Sequence, residues 1–212
     1  MAIDKQRLAD IVDKGYEQPA TGGFVPPGMP GHTPDIGLRY DPERARQLLA
    51  EAGYPDGRDF PEVVLLAGPT WRTLTEYLRA QWRDSLKLET IGSKVNLAAT
   101  DKRPWIARGG WWADYADPDN FLRVDVQLNA PEWRNETYER LLERARQITD
   151  QAERMQLCQQ AGRILIEEAV IVPLLYIQSH LLLKLWVRRF PIAAIKSPGF
   201  WKDVIIEPHE AV

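Results

Sequence analysis

A chain of 212 residues with 44% hydrophobic and 27% charged side chains can bury a core and solvate its surface, which excludes wholesale disorder. A net charge of −3 and an isoelectric point near 5.7 argue against a nucleic-acid binder, which presents a basic face. No apolar run reaches the roughly 18 residues of a membrane-crossing helix, and a single cysteine, Cys158, excludes an internal disulfide and any multi-cysteine metal site.

Met1–Lys5 shows no basic stretch leading into an apolar one, so no leader pattern is visible. Asp4 is expected to cap a first helix, with Ile3 and Leu8 as a hydrophobic staple, Leu8, Ile11 and Val12 on one face, and Gly15 as the stop. Residues 17–38 carry Pro19, Pro26, Pro27, Pro30 and Pro34, which exclude a helix and predict an ordered extended loop. Asp41-Pro42 pairs an N-cap with proline at the first helical position; Ala45, Leu48, Leu49 and Ala52 form the expected buried stripe, and Gly53 ends the helix.

A strand is predicted at Val63–Ala67. The next helix starts from Thr70 or Thr73 and turns Leu74, Tyr77, Leu78, Trp82 and Leu86 inward; a short strand follows at 95–98. Strand, helix and strand in that order predict a βαβ unit with parallel pairing. A short segment at 101–107 leads into Gly109-Gly110-Trp111-Trp112-Ala113-Asp114-Tyr115-Ala116-Asp117-Pro118-Asp119-Asn120-Phe121-Leu122, the most unusual composition in the chain. Asp117-Pro118 reads as the cap and first residue of a short helix.

Further on, 136–149 is helical with Leu141, Leu142, Ala145 and Ile148 inward. Asp150 and Glu153 have capping-box spacing before a helix carrying Met155, Cys158, Gly162, Leu165 and Ala169. Cys158 falls on that apolar face and reads as a buried small hydrophobe. Residues 170–176 predict a buried strand interrupted by Pro173, and 181–186 and 204–206 two further strands.

These segments, in order, resemble the dipeptide/oligopeptide-binding family of ABC solute-binding proteins (extracellular solute-binding family 5). The likeness runs through Ala2-Ile3-Asp4-Lys5, Val25-Pro26-Pro27-Gly28, Tyr40-Asp41-Pro42-Glu43-Arg44-Ala45 and Leu48 to Gly57. It continues through Gly110-Trp111, Ala113-Asp114-Tyr115, Asp117 to Leu122, Asp150, Arg154 and Ile171-Val172-Pro173-Leu174. The resemblance implies an α/β fold: a periplasmic-binding-protein-like (type II) C-terminal lobe with a mixed sheet flanked by helices. Residues 1–177 would form the lobe and 178–212 a crossover tail returning to an N-terminal lobe that this chain lacks. It also implies a periplasmic or extracytoplasmic protein that captures a small peptide or similar solute and docks on an ABC permease complex. A lone lobe is expected to bind weakly and to self-associate through apolar surface.

The resemblance implies that Asp114 matches an amine-binding aspartate, with Trp111 and then Trp112 as expected flat walls and Tyr115 as a further candidate ligand contact. A buried ammonium requires a carboxylate, and indole rings give flat walls with one polar N–H each. Arg103 and Arg108 each suit a ligand carboxylate through a planar fork, or are solvated surface charges, the reading the sequence favours. Asp114 as a local loop cap and Trp111 as plain core packing stay open. If the strand persists, alternation sends Trp111 and Trp112 to opposite faces and pairs Asp114 with Trp112 rather than Trp111.

No catalytic residue, cofactor or metal site is expected: His32, His180 and His209 are scattered, and nucleophile-elbow and phosphate-loop patterns are missing. Pro118 and the tryptophan-rich lead-in do not suit a calcium loop. Two alternatives are a ligand-binding sensor using the same lobe and a small hydrolase pairing Asp114 with Asp117.

Overall fold

The computed structural model describes residues 1–12, 14–88, 92–94, 103–130, 132–178, 180–190 and 201–208. The fold is α/β, with helices packed on small sheets, and the chain divides into two compact units. The first comprises Met1–Thr21, Asp35–Gly110 and Pro173–Ile177; the second comprises Gly22–Pro34, Trp111–Val172 and Gln178–Val212.

The first unit begins with α1 (Lys5–Val12), capped by Asp4, whose carboxylate accepts the Arg7 N–H at 2.9 Å. Leu8 is fully buried and Ile3 packs with it, as the staple requires. Ile11, expected on the same face, is exposed instead. At 100° per residue Leu8, Ala9 and Val12 define the buried flank, and Ile11 points about 100° away from its centre. Gly15 ends the turn with φ +76, a value only glycine adopts without strain.

β1 (Gln18–Pro19) lies in the proline-rich segment and pairs antiparallel with β5 (Leu175–Tyr176). The predicted strand over 170–176 shrinks to those last two residues, because Pro173 removes a ladder donor and Val172 stays exposed. α2 (Pro42–Glu51) is capped by Asp41, which accepts the Arg44 N–H at 2.9 Å. Its expected buried stripe is absent: no residue of α2 is buried, and Leu48 is exposed. Leu49 packs partly on the core, and Arg46 donates to the Ser85 carbonyl at 2.8 Å, which together tether the helix.

β2 (Val64–Leu66), α3 (Arg72–Leu86) and β3 (Gly92–Lys94) form a parallel βαβ unit, with Val64 opposite Gly92. The parallel pairing is as expected, but Gly92, read as the break before the second strand, opens it instead. The predicted strand at 95–98 lies outside the described residues. Neither Thr70 nor Thr73 caps α3; a 3-10 turn at Pro69–Trp71 feeds it, and Trp71 makes no capping bond. β4 (Trp105–Ala107), which the sequence did not signal, pairs parallel with β2 on its other side, giving the order β3-β2-β4. Leu8, Leu65, Leu74, Leu78 and Leu88 make this unit's core.

In the second unit, a π-helical turn at Asn120–Asp125 runs into α4 (Val126–Asn129). α5 (Glu136–Gln147) and α6 (Gln151–Glu167) pack on each other. Asn135 caps α5 through the Tyr138 N–H at 2.9 Å, and Asp150 caps α6 through the Glu153 N–H at 2.8 Å. Glu153 does not close the capping box but pairs with Arg144 at 2.6 Å. Phe121, Leu122, Leu142, Cys158, Ala161 and Leu165 lie in the core. Burial pushes the Cys158 thiol up to about 11, against the pull of Arg154, so it is an inert hydrophobe there.

Ala169, expected on α6, lies beyond its end with φ +52. The predicted strand at 181–186 moves to β6 (Val187–Arg189), which pairs with β7 (Ile205–Ile206). The leucines at 182 and 185 stay exposed: strand propensity without a partner edge does not make a strand. Among the described residues no helix is long and apolar enough to cross a membrane.

Candidate functional site

The segment after β4 is the site the sequence singles out, and it is built backwards from a helix start. Pro118 is fixed at the first helical position, and the Asp117 carboxylate accepts the Asp119 N–H at 2.8 Å, as an N-cap does. Arg154, projecting from α6, grips the same carboxylate with both terminal nitrogens at 2.7 Å. That fork holds the start of the π-helical turn on the helical layer. Donating its hydrogen bonds to Asp117 pushes the Arg154 guanidinium above its ordinary value.

Asp119 is paired in the same manner. Arg123 donates to it at 2.8 and 2.7 Å, and the Tyr115 hydroxyl donates at 2.8 Å. Burial alone would raise the Asp119 carboxyl, but the bonds from Arg123 and Tyr115 outweigh it and hold it below the usual range. Burial, and then Asp119, push the Tyr115 hydroxyl upward, opposed by the Asn120 amide and the Arg123 charge. Two of the three aspartates in this stretch are thus neutralised by forked guanidinium groups.

Asp114 differs. It is exposed, and its carboxylate has no hydrogen bond or ion pair among the described residues. Its backbone is fixed nonetheless: the Asp114 N–H donates to Asn120 Oδ1 at 3.2 Å. The Trp111 indole donates to that same oxygen at 2.7 Å while its ring packs partly on the core. Trp112 and Tyr115 are exposed, 46% and 41%. The strand has ended at Ala107, so pleat alternation no longer governs this stretch. Trp111 and Trp112 still part company, one toward the core and one toward solvent, and Asp114 is tied to Trp111 through Asn120.

Arg108 belongs to the first unit, where its guanidinium lies 3.4 Å from the Trp71 ring centroid. Burial lowers its pKa, opposed by Glu17. Arg103 pairs with Glu62 at 2.8 Å. The residues that sequence reasoning missed are Asn120 and Trp71. Asn120 had a signal, a carboxamide set directly before the apolar pair Phe121-Leu122. Among the described residues no group of three or more His, Cys, Asp or Glu side chains could hold a metal ion. Asp117 commits both oxygens to Arg154, so it offers Asp114 no second carboxylate for acid–base work.

A family model described as bacterial extracellular solute-binding proteins, family 5 Middle, matches residues 1–129. The chain belongs to this family. The dipeptide-binding protein of Pseudomonas aeruginosa is 28% identical to the family 5 chain described here over 224 residues, covering 95% of this chain and 40% of the relative. Heme-binding protein A of Haemophilus influenzae is 31% identical over 190 residues, covering 81% of this chain and 34% of the relative. The chain therefore spans about two fifths or less of the length of these relatives. OppA of Burkholderia pseudomallei shares the fold with a TM-score of 0.76 at 23% identity, covering 98% of this chain and 44% of that one. The Helicobacter pylori DppA structure, in complex with peptide STSA, has a TM-score of 0.68 at 24% identity, covering 98% and 42%.

Proposed function

We propose that this chain supplies part of the substrate-binding component of an ABC importer, taking up a peptide or similar small solute outside the cytoplasm without chemical turnover. In this reading residues 1–177 form a ligand-binding lobe and 178–212 a tail that returns to a further lobe of a longer protein. Asp114 receives the ligand's ammonium group, and Trp111, Trp112 and Tyr115 flank it. Arg108 is assigned separately to a ligand carboxylate, with Trp71 holding its plane.

One observation carries the assignment: Asp114 is the aspartate of its segment whose carboxylate is left without a partner among the described residues, while Asp117 and Asp119 are each held by an arginine. A carboxylate with a fixed backbone and a vacant acceptor side suits an incoming cation. The peptide-binding relatives support the same ligand class, and the heme-binding relative makes heme the rival ligand.

Calorimetry with trialanine and N-acetyl-trialanine tests it. A charge-assisted hydrogen bond is worth roughly 1.5–3 kcal/mol, so the acetylated peptide is expected to bind about 10- to 100-fold more weakly. Asp114→Asn should weaken trialanine by a similar factor and leave the acetylated peptide unchanged. Equal affinity for the two peptides in the unaltered chain would refute the assignment.

A further inference from the structure

We infer that Asn120 is the positioning residue of this site: its side-chain amide locks the Trp111 indole and the Asp114 backbone into one presentation. The inference rests on the reading of Asp114 and Trp111 proposed above. Asn120 is fully buried and polar, followed directly by the core residues Phe121 and Leu122. Its Oδ1 accepts from Trp111 Nε1 at 2.7 Å and from the Asp114 N–H at 3.2 Å, two donors from the preceding segment meeting on one atom. Its Nδ2 is buried with no well-formed hydrogen bond among the described residues; beyond the two bonds to Oδ1, the Asn120 amide acts only on the Tyr115 hydroxyl, whose pKa it pulls down against burial.

That poorly satisfied donor is informative. Leucine has nearly the same shape and would fill the space without burying a poorly satisfied N–H, so space-filling does not account for asparagine here. Turning the amide over would set its NH2 against two donors, which fixes the orientation seen. The oxygen is what the position requires, and the nitrogen accompanies it. Asn120 also opens the π-helical turn, which Asp117 caps and Arg154 anchors. The oxygen is therefore placed by a helix rather than by the loop it organises, and π-helical turns recur at functional sites.

Two substitutions separate positioning from packing. Asn120→Asp keeps an acceptor in place and removes the poorly satisfied donor; Asn120→Leu keeps the volume and removes the acceptor. The first readout, on the ligand-free chain, is hydrogen exchange of the Trp111 indole N–H. The second is the affinity ratio between trialanine and N-acetyl-trialanine, which a merely structural role would not move.

Positioning gives Asn120→Asp within about threefold of the unaltered chain on both readouts. For Asn120→Leu it gives indole exchange at least about tenfold faster and a ratio near one, with an unchanged circular dichroism spectrum. Asn120→Ala replaces the leucine variant if that one does not fold. If packing is the whole role, the leucine variant keeps both slow indole exchange and the preference for the free amine; that result overturns the inference. Should the unaltered chain itself show no preference for the free amine, the functional reading falls, while the exchange comparison still decides the role of Asn120.

Discussion

At the scale of single residues, the chemistry turns on which carboxylates are already satisfied. Three aspartates within six residues look alike in the sequence, and family likeness alone distinguishes Asp114. What separates them is Arg154 and Arg123. Arg123 lies one turn along from Asp119 and could have been paired with it by spacing, since residues four apart share a helix face. Arg154 is 37 residues from Asp117, and no local rule connects them. A fourth acid, Asp125, is 5% exposed. Burial raises its carboxyl above the ordinary range, opposed by a hydrogen bond from Asn129. A carboxyl that holds its proton more tightly when folded loses stability as pH rises from the unfolded value of about 4 through the folded one. Asp125→Asn is therefore expected to raise the melting temperature at pH 7, with the gain shrinking toward zero below about pH 4. A gain independent of pH would show that the carboxyl's ionisation is not its cause.

Among elements, capping was the most legible feature. Asp4, Asp41, Asp117 and Asp150 each bond the N–H that their spacing predicts, because a cap is decided within four residues. The βαβ unit was legible for a related reason: a strand-length apolar run, an amphipathic helix and a second strand leave few other arrangements. β4 was hidden, since Trp105–Ala107 is a short exposed edge with no alternation to read. The first tail strand was misplaced, 181–186 for Val187–Arg189, because its position depends on the partner edge, whereas the one expected at 204–206 is β7. The loop at 22–34 depends on an approach the sequence does not advertise. Gly31 has φ +78, and a Cβ built there would stand 3.0 Å from the Pro118 side chain. Gly31→Ala thus combines a strained dihedral with crowding against the helix start, and should destabilise the protein by about 1–3 kcal/mol in denaturant titration. A change within about 0.5 kcal/mol would mean that the loop moves aside without cost.

For the whole molecule, the family and the α/β fold follow from the ordered motifs, whereas the ligand does not. Relatives of similar identity include a dipeptide-binding and a heme-binding protein. Leu182, Leu185, Ile205 and Ile206 leave apolar surface exposed at and near the β6–β7 pair. In the proposed reading that surface faces the rest of a longer protein, so the isolated chain should self-associate, and light scattering should give a mass that rises with concentration. A monomer at millimolar concentration would count against that reading.

The central claim, that Asp114 and the indole beside it receive a ligand's positive end, is tested most directly by titrating the nitrogen-15-labelled chain with trialanine and following its amide and indole signals. The account predicts the largest shifts at the Trp111 indole N–H and at the Asp114 and Tyr115 amides, saturating together. Saturable shifts confined to other parts of the chain, with those three signals unmoved, would contradict it.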